Sequence, residues 1–173
     1  MSESFSGPTT FKGAVRFLDS DVSLPAGLID DADVSAGAAI DADKLQHRHA
    51  ISYSQVDGTD VASATQLLFI ARAACTVVSV EVRPTTAPTG GDKQFTVDIQ
   101  KATDGSGSWS TLLSSVVTMS SADSDDTLEA ATLIGSPTLV DGDAIRVVVT
   151  ASGSTGSQGQ GVNVTVNLDE AAA

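Results

Sequence analysis

The chain has 173 residues, with 9 Lys and Arg against 22 Asp and Glu and a formal net charge of −13. That length suits one domain, or one domain with an arm, and is enough to bury a core. So few cations argue against nucleic acid or an anionic membrane as a partner, because phosphate binding is driven by counterions released to Lys and Arg. The single Cys75 allows no internal disulfide and no cysteine metal cage, and no apolar run approaches the roughly 20 residues of a bilayer span.

Met1-Ser2-Glu3-Ser4 opens acidic and polar, unlike a basic-then-apolar export signal, which predicts synthesis in a host cytoplasm. Residues 1–60 hold no strand or helix period for long. Pro8, Gly13, Pro25, Gly27 and Gly37 interrupt the spaced apolar residues Phe11, Phe17, Leu24, Ile29 and Ile40. One short helix is predicted over Ala38 to His47. So long an irregular stretch fits an extended arm ordered against a neighbour better than part of a compact core. Its apolar anchors are too regular for a plain linker.

Residues 61–173 read as successive strands. Gln66 to Ile70 is the first. In Cys75 to Arg83, Val78, Val80 and Val82 alternate with Ser79, Glu81 and Arg83. Phe95, Val97 and Ile99 share one face of the next strand. Further strands are predicted over Trp109 to Met119, Leu128 to Ile134, Ala144 to Thr150 and Val162 to Leu168. The last has Val162, Val164, Val166 and Leu168 inward. Pro88 to Gly91, Asp104 to Gly107 and Asp141 to Asp143 supply turns, and Ser152 to Gly161 is a Gly/Ser/Gln loop. Seven or eight short strands without intervening amphipathic helices make the fold all-β, an antiparallel β-sandwich or jelly roll.

The chemistry of sites is sparse. His47 and His49 share a face if residues 47–49 are extended, and with Asp43 or Asp57 could approach a metal. Polar contacts to a neighbour account for them as well. The acidic clusters at residues 30–33, 41–43, 123–126 and 141–143 lack the spacing of a calcium loop. Both histidines lie in the arm, so Ser or Cys75 has no base beside it in the β domain, and Cys75 reads as a small buried hydrophobe. No catalytic residue, cofactor or metal is assigned, and the protein is expected not to be an enzyme.

The stretch Ile29-Asp30-Asp31-Ala32-Asp33-Val34-Ser35-Ala36-Gly37-Ala38-Ala39-Ile40-Asp41-Ala42-Asp43-Lys44-Leu45 resembles a segment near the N-terminus of many tailed-phage virion proteins. That segment runs Ile, small or polar residues, Ile or Val, Ala-Ala, Ile-Asp and Lys-Leu. The β part is similar to head-decoration and head-fibre domains of such phages, through residues 76–80, 95–99, 112–115, 140–143 and 153–162 in that order. The resemblance implies a jelly-roll-like module, usually a homotrimer, on the outer capsid surface, clamping neighbouring major capsid proteins as a decoration or cement protein. The alternative is a tail-fibre or receptor- and glycan-binding virion module, although no repeat is visible and aromatics are only 4%.

Charge agrees with an outward position, because a head filled with phosphate repels an acidic chain. Residues 1–50 carry 4 basic and 8 acidic side chains, and residues 51–173 carry 5 and 14. The less repelled arm is therefore expected to contact the capsid, through Phe11, Phe17, Leu24 and Ile29 as apolar anchors and Lys12, Arg16, Lys44 and Arg48 as cations. On this reading, removing residues 1–50 abolishes capsid binding and leaves the β domain folded.

Overall fold

The computed structural model describes residues 47–170. They form ten strands: β1 (His47–Ser54), β2 (Ala64–Ile70), β3 (Cys75–Arg83), β4 (Gln94–Ala102), β5 (Ser110–Thr111), β6 (Val117–Met119), β7 (Glu129–Ala130), β8 (Thr138–Leu139), β9 (Ala144–Ser152) and β10 (Asn163–Glu170). One sheet runs β1-β10-β3-β7 with β8 also on β3; the other runs β2-β9-β4-β5 with β6 also on β4. Each of these strand pairings is antiparallel.

β5 and β6 are two pieces along one side of β4, and β7 and β8 two pieces along one side of β3. Counted as broken strands, they reduce the orders to 1-8-3-6 and 2-7-4-5, which is jelly-roll topology. The expected antiparallel sandwich is therefore the fold.

The core is the inward parity of the long strands. Phe95, Val97 and Ile99 of β4, Ile145, Val147 and Val149 of β9, and Val164, Val166 and Leu168 of β10 are each at most 1% exposed. Each such side chain contributes about 1.5–3 kcal/mol by leaving water. Branched and aromatic residues at every second position make the same segments good strands.

Three expectations change, and a fourth is not reached by the described residues. His47–Ser54, counted with the arm, are a full strand in register with β10, from His47 opposite Glu170 to Ser54 opposite Asn163. The predicted helix over 38–47 lies outside the described residues except for His47, which begins β1. Val78 is not inward: it is 43% exposed, while Val77 is 1% exposed. The ladder passes from Leu168 opposite Val77 to Asn167 opposite Ser79, so Val78 is the extra residue of a bulge.

Finally, the segments 109–119 and 128–134 are not single strands. Leu112 and Leu113 are both buried, which a regular strand with one face to solvent does not permit. The Leu112 N–H bonds the Ile99 carbonyl on the second sheet. The next residues cross to residues 132–133 through the Leu113–Leu133 bridge and the Ser114 N–H to the Thr132 carbonyl, closing one side of the sandwich.

Candidate interaction surfaces

Topology sorts the connections to two ends. At one end lie the beginning of β1, the finish of β10 and the links β2–β3, β4–β5 and β8–β9. At the other lie the links β1–β2, β3–β4, β6–β7 and β9–β10.

At the first end, β1 is clasped to β10 by side chains as well as backbone. Arg48 sits opposite Asp169 and donates from Nε to Oδ1 at 2.7 Å and from Nη2 to Oδ2 at 3.2 Å. This two-pronged bond, with the charge attraction, raises the Arg48 pKa and lowers that of Asp169. His49 Nε2 lies 3.0 Å from Glu170 Oε2. His49, Phe69, Arg72, Ala73, Cys75 and Glu170 line a cavity of about 220 Å³ here. Burial pushes the Cys75 thiol up, the carboxylates of Glu170 and Asp143 add to it, and Lys101 opposes them. A thiol held protonated is a poor nucleophile.

At the same end, the Asp141-Gly142-Asp143 turn forms as expected, with the Asp143 N–H bonded to the Val140 carbonyl at 3.0 Å. Asp143 is fully buried. It accepts from the Val140 N–H at 2.9 Å and the Asp104 N–H at 3.3 Å, and its Oδ2 lies 2.7 Å from Lys101 Nζ.

At the opposite end, four loops are joined to one another by hydrogen bonds. Asp60 and Thr86 both bridge Gln160, and Thr89 bridges Ser157. Asp92 Oδ1 accepts from the Ser154 and Thr155 N–H groups at 2.9 and 2.8 Å and from Thr155 Oγ1 at 2.8 Å; these bonds hold its carboxyl well below the usual range. The Gly/Ser loop is therefore ordered by partners, not loose. The carboxylates of 123–126 also serve turns: Asp123 accepts from the Ser120 N–H at 2.7 Å, Asp125 accepts from the Ala87 N–H at 2.9 Å, and Asp126 pairs with Arg83 at 3.2 Å. Among the described residues no three His, Cys, Asp or Glu side chains are grouped to hold a metal, and no helix is long and apolar enough to cross a membrane.

Of the contact residues expected from sequence, Arg48 is described; it is the exposed residue of the clasp. Phe11, Lys12, Arg16, Phe17, Leu24, Ile29 and Lys44 lie outside the described residues. Asp57 is not brought to the histidines. It follows the far end of β1 from His49 and caps the Gly58 N–H at 2.9 Å.

A third surface, which sequence reasoning missed, is the outer face of the second sheet. Leu67 stands opposite Arg146, Arg146 opposite Gln100, and Gln100 opposite Thr111, one row across β2, β9, β4 and β5. The Arg146 guanidinium lies 4.2 Å from the centre of the Trp109 ring. Its Nε and Nη2 donate to Gln100 Oε1 at 2.9 and 2.7 Å, Gln100 Nε2 donates to Asp98 Oδ2 at 2.8 Å, and Thr111 Oγ1 donates to Asp98 Oδ1. The available signal was parity: Arg146, Asp98 and Gln100 hold the outward positions of strands whose inward positions Phe95, Val97, Ile99, Ile145, Val147 and Val149 are apolar.

No protein-family model and no curated protein sequence matches the chain. Among solved structures, the chain is similar to one from Turnip Yellow Mosaic Virus at 14% identity, over 73% of this chain and 92% of the other, with a TM-score of 0.34. It is similar to one from the infectious bursal disease virus Gx strain at 11% identity, over 75% of this chain and 38% of the other, with a TM-score of 0.35. Overlaps of this size add nothing to the two sheets already described.

Proposed function

We propose that the protein is a structural virion component without catalytic role, a decoration or cement protein on the outside of a tailed-phage head whose N-terminal segment grips the major capsid protein. The support is the Ile29–Leu45 resemblance, the acidic charge and a fold type that recurs in viral capsid and lectin domains. Fold alone does not carry a function.

The observation that carries the reading is the clasp. A cement must pass load from its gripping segment into its folded body. Here the segment before residue 47 continues into β1, which is paired with β10 along its whole length and pinned at its second residue by Arg48–Asp169. Tension drawn along β1 loads that ladder in shear, so many bonds resist together. The same chain in many copies on a lattice adds avidity. A homotrimer is the oligomer that the resemblance implies.

The test is copy number in purified particles, by quantitative mass spectrometry against the major capsid protein. A simple lattice fraction supports the cement reading. A handful of copies moves the protein to a tail fibre, and absence from particles discards both.

A further inference from the structure

We propose that the outer face of the second sheet is a contact between two copies of this chain, related by a twofold axis. Three observations carry it. The first is the placement of Trp109, the only tryptophan in the chain. It is half-buried on this face, stacked with Arg146, although the fold has a core of Phe, Val and Ile in which an aromatic could be covered. Tryptophan and arginine are the residues most enriched where protein contacts concentrate their energy. Leu67, the neighbour of Arg146 in the row, is 51% exposed.

The second observation is charge. The sequence from Val61 to Val80, which contains β2, has no acidic residue although the chain has 22. Two acidic copies repel least where such a stretch comes to the surface.

The third is self-complementarity. Asp98 stands opposite Val148 and Gln100 opposite Arg146, so carboxylate and guanidinium occupy opposite corners of one square of the sheet. Gln100 bridges them within a copy. A twofold axis lying between the two facing sheets, parallel to them and along the Gln100–Val148 diagonal of that square, sets Arg146 of each copy over Asp98 of the other, two identical ion pairs with Val148 and Leu67 beside them. An isologous contact demands this reciprocity. The contact does not depend on where the protein resides.

The experiment is sedimentation of the full chain across roughly 1 μM to 1 mM, with Trp109 emission followed in parallel. Association that shifts the emission to shorter wavelength is expected. Arg146→Glu alone and Asp98→Arg alone should each lose this pairwise association and its emission shift, since each sets like charges together. An equimolar mixture of the two should associate again, because each then meets its opposite. A wild type that is monomeric throughout overturns the contact. So does assembly that survives both single reversals, or folded variants that fail to associate on mixing. Should the reversals disturb folding, Leu67→Ser decides, being on an exposed edge: weakening by at least about tenfold supports the contact and no change overturns it. A trimer indifferent to Leu67→Ser would sink this contact and leave the virion reading intact, whereas absence from particles does the reverse.

Discussion

Lys101 Nζ lies 2.7 Å from Oδ2 of Asp143, whose carboxylate is fully buried beneath the turn that leads into β9. Burial by itself would raise the Asp143 pKa. The hydrogen bond from Lys101, the Val140 and Asp104 N–H groups and the Lys101 charge outweigh it, and the net shift is downward. The unfolded aspartate, near 3.9, therefore takes up a proton first as pH falls. Its stabilisation is complete above that value and is lost as pH drops through the lower folded one. Denaturant midpoints should fall with pH in the acid range, and more gently in Asp143→Asn. At pH 7 Asp143→Ala should cost about 2–4 kcal/mol, since it leaves the Val140 and Asp104 N–H groups without their acceptor and takes the counter-charge from Lys101, which keeps the Thr138 carbonyl.

The bulge at Val78 gives a sharper test of register. Strict alternation buries Val78, whereas the structure buries Val77 at 1% exposure and leaves Val78 at 43%. Val78→Ser should change stability by no more than about 0.5 kcal/mol, and Val77→Ser should cost about 2 kcal/mol or more. Thermal unfolding of the two variants side by side checks it. Equal effects would place the bulge elsewhere.

That pair also shows what a sequence makes legible. Phe95, Val97, Ile99, Val164, Val166 and Leu168 announce themselves because every second residue is apolar, and all are buried. Val77 and Val78 are chemically equal neighbours, and only the ladder with β10 decides between them. β1 was illegible for a related reason. His47-Arg48-His49 is polar on both faces, since it lies at the open end of the sandwich, and its strand character comes from pairing with residues 121 positions away. The row from Leu67 to Thr111 needed four strands to be set side by side before Trp109 and Arg146 could be read together.

Close approach of the loops makes a glycine obligatory at residue 156. Its φ is +99°, and an added Cβ would run into the Gly90 and Thr89 carbonyls. Neither is the far end of a flexible side chain, so one of the two loops must move. Gly156→Ala should destabilise by more than about 1 kcal/mol. Its hydrogen-exchange losses should be confined first to residues 85–92 and 153–161. Gly105→Ala is the control, with positive φ but open space around it, and should cost less.

The position of β1 corrects the truncation that the sequence suggests. A cut after residue 50 removes His47–Ala50, half of β1, together with Arg48 and His49, and leaves the corresponding stretch of β10 paired only with β3 and open on its other edge beside the cavity. Four ladder positions lost from an outer strand should cost about 2–4 kcal/mol and open the route to Cys75. A cut after residue 46 keeps every described pairing. The shorter truncation should therefore melt close to the full chain and react slowly with thiol reagents, because Cys75 is 6% exposed and its thiol is held protonated. The longer one should melt earlier and label faster. Capsid binding lost on the cut after 46, with melting and labelling unchanged, would assign the grip to residues 1–46 instead of to a damaged sheet.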